Sequence, residues 1–196
     1  MEQRLIKEEI REQFYLYKNK FDITENITLS FKGIGNSAIY TWFDRIIIQN
    51  ITVNQWIKYP QRTKFVIIHE LVHAKFKELQ NPFYVLLGLA PAAVSLKYAM
   101  RELRANTIAH EQLGCNVEVL EDYFTNFYNV NSNTKRNLAM GYVNGVTNIK
   151  LIKDNPIWNK QAIEDAVNFF TSEFPSLRKI SRQKIDQIKS TFIQQL

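Results

Sequence analysis

His69-Glu70-Leu71-Val72-His73 is the stretch whose residue types and spacing could do chemistry. Residues four apart on a helix lie about 40° apart around its axis, so both imidazoles leave one face and can reach a single ion at roughly 2.0–2.1 Å. Glu70 leaves the helix to one side, where its carboxylate would meet a water at the metal and not the metal itself. Zinc lowers the pKa of such a water to about 7, and a carboxylate within hydrogen-bond reach can take its proton as the oxygen attacks a peptide carbonyl. The chemistry implied is metal-assisted hydrolysis without a covalent intermediate. The bland alternative is a pair of core histidines on an apolar helix.

A catalytic zinc needs a third protein ligand and an open fourth position. Three residues compete for the role. Glu78 lies on the same helix, but five residues past His73 it is turned well away from the ligand face and sits more than a helical turn further along. His110 would give an all-histidine set. Glu102, within Met100-Arg101-Glu102-Leu103-Arg104-Ala105-Asn106, lies on a second helical stretch from about Ser95 to Leu113 and is favoured.

These residues need elements to position them. Pro60 to Leu79 contains no internal Gly or Pro, Pro60 suits a first helical turn, and Asn81-Pro82 suits an end. Phe65-Val66-Ile67-Ile68 before the motif and Ala74 after it predict that this helix is buried. Upstream, Ile39-Tyr40-Thr41-Trp42-Phe43 and Arg45-Ile46-Ile47-Ile48-Gln49 are β-rich segments joined by a turn near Asp44. Ile6, Ile10, Phe14 and Tyr17 make one face of an N-terminal helix. Thr52 caps a short helix through Trp56, and Asn116 caps another running to about Tyr128. Gly114 stops the second ligand helix. Breaks fall at Asn129–Asn133 and Lys153–Pro156, and Gly141 and Gly145 lie four apart on one helix, where small residues let another helix approach.

His69–His73 followed by Glu102-Leu103-Arg104-Ala105-Asn106 resembles the gluzincin pattern of HtpX-type and type I CAAX prenyl proteases, and the likeness spans roughly Ser37 to Tyr128. It implies an α+β, predominantly helical, zincin-like core: a short N-terminal β-sheet, the motif helix and a third-ligand helix. It also implies one Zn2+ ion on His69, His73 and Glu102, with Glu70 as general base. In that family the third ligand opens a Glu-x-x-Ala-Asp motif, whose Asp accepts a hydrogen bond from a ligand imidazole and sets its orientation and basicity. Asn106 stands in its place, able to accept through its amide oxygen but without charge. A strand before the motif helix lines the cleft in such proteases and pairs with extended substrate, which makes a peptide or protein the expected partner. Soluble minigluzincins are the nearest in architecture. Glu173–Arg178 faintly resembles a His-Pro segment of the family, but Phe174 replaces the His and nothing is carried over from it.

At 196 residues and 45% hydrophobic content, a single domain is expected, with a core over about residues 37–128 and a helical extension over 134–196. Phe83 to Leu96 is uncharged but too short to span a bilayer, which takes about 20 apolar residues. It reads as a buried helix broken at Pro91, or as a peripheral membrane contact. The charged N-terminus carries no secretory signal, and one cysteine, Cys115, suits a reducing compartment, so the cytoplasm is expected. A net charge of +6 raises the question of nucleic acid. Yet Arg178, Lys179, Arg182, Lys184 and Lys189 gather on a helix striped with Ile185, Ile188 and Phe192, which predicts a solvated face and no specific nucleic-acid partner. His110, Tyr123, Tyr128 and Tyr142 compete as oxyanion-stabilising groups. The expected function is a zinc endopeptidase acting on extended or unfolded chains. Its competitors are a latent, zinc-stabilised interaction module and a protease that clips one regulator.

Overall fold

The computed structural model describes residues 2–33, 38–41, 44–79, 90–128, 130 and 133–196. These are predominantly helical with one small sheet, the α+β class expected. The chain divides into two compact units. One comprises Met1–Leu79 and Ile108–Tyr123, the other Gln80–Thr107 and Phe124–Leu196.

In the first unit, α1 (Glu2–Lys20) buries Ile6, Ile10, Phe14 and Tyr17, the stripe read from the sequence. Strands β1 (Thr28–Phe31), β2 (Ala38–Thr41) and β3 (Arg45–Ile48) form a sheet of order β1-β3-β2. β3 runs parallel to β1 and antiparallel to β2, with Leu29 and Tyr40 both opposite Ile46. Ile46 and Ile48 are fully buried, so Ile46–Ile48 is the central strand and β2 is an edge. The turn between β2 and β3 contains Asp44 in the left-handed region, at φ 48°. Trp42, Phe43 and Ser37 lie outside the described residues.

Helix α2 (Asn50–Gln55) is entered through Gln49, not Thr52. Thr52 is fully buried inside the helix, so tertiary burial overrides its capping preference. Helix α3 (Pro60–Lys75) starts on Pro60 as expected and buries every residue from Phe65 to Ala74. A helix apolar nearly all round has no solvent face and must be enclosed. It packs against α1, α2, β2 and α5 (Val117–Asp122). Arg62 reaches Asp122 through two hydrogen bonds of 2.7 and 2.6 Å, and Phe65 stacks on Tyr123 with ring centroids 4.3 Å apart.

α3 stops at Lys75, short of Leu79 and before Asn81-Pro82. Lys77 takes the left-handed conformation (φ 51°), its N–H reaches the Ala74 carbonyl at 3.1 Å, and the Glu78 N–H reaches the His73 carbonyl at 2.8 Å. This reversed cap normally uses glycine. Gly114 (φ 75°) ends α4 (Ala92–Gln112) in the same way, with the Cys115 N–H on the His110 carbonyl at 3.0 Å. Asn116 caps α5 through Glu118 and Val119 as expected, and a π-helical turn, Tyr123–Phe127, follows.

The second unit holds α4 through Thr107 and the helices α6 (Lys135–Ala139), α7 (Gly145–Asp154), α8 (Lys160–Glu173) and α9 (Arg182–Ile193). Thr134, Asn144, Asn159 and Ser181 cap these four helices. Ile188 and Phe192 of α9 are buried while Ile185 is only partly so, and Arg178, Lys179, Arg182 and Lys184 are exposed. Arg104 of α4 is wholly buried, donating to Gln195 at 2.7 Å with its guanidinium 4.9 Å from the Phe192 ring centre. Gly141 and Gly145 do not share a helix. Gly141 sits in a left-handed turn at φ 86° and Gly145 opens α7. The close approach expected of them is present: a Cβ at Gly141 would lie 2.7 Å from the Tyr98 carbonyl, and one at Gly145 2.9 Å from the Phe124 carbonyl.

Of the apolar run from Phe83 to Leu96, residues 83–89 lie outside the described residues; α4 begins just after Pro91 and buries Leu96. Among the described residues no helix is long and apolar enough to cross a membrane.

Gly141→Ala combines a left-handed backbone with a backbone clash, and is expected to destabilise the fold by about 2–4 kcal/mol. The measurement is the urea midpoint at constant slope, and an unchanged midpoint would contradict this packing.

Candidate metal centre

α3 presents His69 and His73 one turn apart, and their Nε2 atoms lie 3.0 Å from each other with the rings crossed at 80°. Two nitrogens bound to one tetrahedral zinc at 2.0–2.1 Å lie about 3.3 Å apart, so the pair fits an ion with little adjustment. Both side chains are buried, as are Glu70 and Glu102. His69, His73 and Glu102 each offer one ligand atom and form a group that could bind a metal ion.

Buried polar groups must be paired, and the partners here define the site. Glu70 Oε2 accepts the Tyr40 N–H of the edge strand β2 at 2.7 Å. That bond points the general-base candidate away from its own helix and toward the sheet. The Tyr40 hydroxyl is held well above the usual phenol range by burial and by donation to Asp44 at 2.7 Å, so it stays protonated.

His73 Nδ1 lies 3.2 Å from Glu78 Oε2. A carboxylate can only accept, so His73 donates from Nδ1 to Glu78, and in the neutral ring that leaves the Nε2 lone pair on the side of His69, the form a metal requires. Glu78 is therefore placed behind the imidazole. On a continuing helix it would turn away, as the sequence reading assumed. Because α3 ends at Lys75 and the chain reverses at Lys77, the Glu78 backbone binds the His73 carbonyl and its side chain returns to the His73 ring. No glycine marks that reversal, so the only sequence signal was an acid just past the motif helix.

Asn106 stands one turn beyond Glu102 on α4, almost fully buried, and donates Nδ2 to Asn148 Oδ1 at 3.2 Å. His110 is buried too, and burial lowers its pKa by disfavouring the charged ring. Tyr123 lies against Phe65, and Tyr128 meets Tyr142 edge-on at 6.3 Å; none of these stands out as an oxyanion-stabilising group.

The family model of the IrrE N-terminal-like domain, Peptidase_M78, matches residues 24–131, more than half of the chain. The match covers the sheet, α2 to α5, the π-helical turn and all five residues singled out from the sequence; it leaves out α1 and α6 to α9. The match supports a metallopeptidase-like domain and does not extend to the HtpX and CAAX proteases that the sequence resembled. Comparisons with curated proteins and with solved structures found no match.

Glu78→Ala is expected to weaken Zn2+ binding 10- to 100-fold, with Glu78→Gln affected less because its amide oxygen can still accept. Competition with a chromogenic chelator measures this, and unchanged affinity in Glu78→Ala would remove Glu78 from the site. For His110 the unfolded pKa of about 6.5 exceeds the folded one, so the unfolded chain binds more protons and stability falls as pH drops through 6.5 toward the lowered value. In His110→Asn that part of the pH dependence should vanish from urea denaturation curves.

Proposed function

The chain belongs to the peptidase family of the IrrE N-terminal-like domain, and on that premise we propose that it is a zinc-dependent endopeptidase cleaving extended peptide or unfolded protein. His69, His73 and Glu102 hold the ion in this reading, and Glu70 is the general base. The observation that carries it is the convergence of two buried Nε2 atoms to 3.0 Å while the carboxylate between them in sequence is held elsewhere, on the Tyr40 N–H. Metal-free, the two rings can share one N–H between their Nε2 atoms, and loss of that proton opens both nitrogens to an ion.

When bound, zinc would polarise the scissile carbonyl and lower the pKa of water to about 7. Glu70, whose Oε2 accepts the Tyr40 N–H, would take the proton of the attacking water and pass it to the leaving amide nitrogen. Tyr40 holds that carboxylate in one orientation, which spares the reaction the cost of ordering it. Glu78 keeps the His73 proton on Nδ1, and Asn106 receives the N–H of a ligand imidazole through its amide oxygen. The strand that anchors Glu70 is a sheet edge, the kind of surface that accepts an extended chain by backbone pairing.

The family match also supports a narrower version in which the substrate is one regulator protein and not unfolded chains at large. A reducing, cytoplasmic setting suits the lone Cys115. We read residues 24–131 as the catalytic part of one domain and the helical tail as its extension.

Glu70→Gln should keep zinc yet lose hydrolysis by about 10²- to 10⁴-fold, and Glu102→Ala should lose both. Zinc content together with proteolysis of an unstructured protein, for wild type and both variants, tests this. Full activity in Glu70→Gln would sink the mechanism, and zinc bound without turnover in wild type would favour a latent binding module.

A further inference from the structure

Tyr40 makes two hydrogen bonds that leave it in different directions. Its backbone N–H reaches Glu70 Oε2 at 2.7 Å, and its hydroxyl donates to Asp44 Oδ1, also at 2.7 Å. Backbone groups of a strand lie in the plane of the sheet while side chains stand off its faces, so the two bonds hold the residue about two axes. The N–H groups of an antiparallel strand alternate in direction. With the Tyr40 N–H taken by Glu70, the Ile39 N–H is turned toward β3, where Ile39 stands opposite Ile47.

The hydroxyl bond matters because β2 is short and is held from one side. It has four residues, and among the described strands β3 is its one neighbour. Asp44 is a fixed point by comparison. It takes the left-handed conformation just before β3, and its carbonyl accepts the Thr28 N–H of β1 at 2.9 Å. The phenol therefore ties the end of the edge strand to the part of the sheet where β1 and β3 begin. Burial, and then Asp44, raise the Tyr40 pKa, so the hydroxyl remains a donor. A hydrogen bond weakens steeply once its angle falls below about 120°. An edge strand free to twist would thus loosen the Glu70 carboxylate even with the N–H still present.

We propose that Asp44 and the Tyr40 hydroxyl form a positioning pair for Glu70: anchored at Asp44, the edge strand holds its N–H where it orients the Glu70 carboxylate. The inference rests on the proposed role of Glu70 as general base, while the hold on the N–H itself can be read in the metal-free protein.

Tyr40→Phe removes the hydroxyl and keeps the ring and the backbone N–H. Asp44→Gly removes the acceptor and takes a φ of 48° without strain, whereas Asp44→Asn keeps an acceptor oxygen. The test follows amide hydrogen exchange of the metal-free proteins by NMR, and zinc content, kcat and KM on an unstructured protein after loading, for wild type and these three variants. Tyr40→Phe is then repeated in a Glu70→Gln background. In Tyr40→Phe and Asp44→Gly the amide at position 40 is expected to exchange about tenfold faster while the Ile39 amide keeps its protection. In the same two variants kcat should fall about tenfold with KM and zinc content unchanged. Asp44→Asn should stay near wild type, and Tyr40→Phe should add no loss to Glu70→Gln. Wild-type exchange at position 40 in Tyr40→Phe, loss of protection at Ile39 as well, or a kcat loss that recurs in full in the Glu70→Gln background would overturn the positioning pair and leave the proposed function standing. A zinc-loaded wild type without turnover would overturn the proposed function itself, and this role with it.

Discussion

A buried helix cannot carry polar side chains unless each one has a partner, and α3 buries five of them, Arg62, Thr63, His69, Glu70 and His73. An unpaired buried polar group costs roughly 1–3 kcal/mol, more when charged. The described partners of His73 and Glu70 are therefore conditions of the fold as much as features of chemistry. Tyr40 supplies its backbone N–H from the sheet, and Glu78 supplies its carboxylate from just past the helix end. The two imidazoles meet at Nε2 atoms 3.0 Å apart, within hydrogen-bond reach of each other. In the first unit, the sheet edge, the helix and its terminus are fitted around this requirement.

Helix ends carry much of that fit. α3 and α4 finish in the same reversed cap, one on Lys77 and the other on Gly114. The lysine bears a left-handed backbone that glycine would accept freely, a strain of order 1–2 kcal/mol. What the reversal achieves is the return of Glu78 onto the ring of His73. A helix continued by one more turn would keep its hydrogen bonds and leave that ring without the carboxylate.

Local features were legible in the sequence because they depend on neighbours in the chain. The apolar stripe of α1, Pro60 at the start of α3, the Asn116 cap and the Gly114 stop all follow from residue type and spacing. So does the pairing of His69 with His73, which helix geometry alone dictates. Thr52 misled because burial outweighs capping. Glu78 was dismissed because helix length, not composition, decides where it points, and the true end at Lys75 carries no glycine. Gly141 and Gly145 announced close packing but not the turn that separates them. Asn148 was out of reach, since its partner lies 42 residues away.

Because β3 lies between its two neighbours, the sheet assembles from one local pairing and one distant pairing. The β2–β3 hairpin closes over a short turn, on a timescale of microseconds, whereas β1 must join β3 in parallel across the intervening hairpin. The Tyr40 N–H belongs to the outer side of that early hairpin and finds Glu70 only when α3 has docked. The nascent chain thus holds His69-Glu70-Leu71-Val72-His73 before the Tyr40–Glu70 bond exists, so the orientation of the Glu70 carboxylate arrives late in folding.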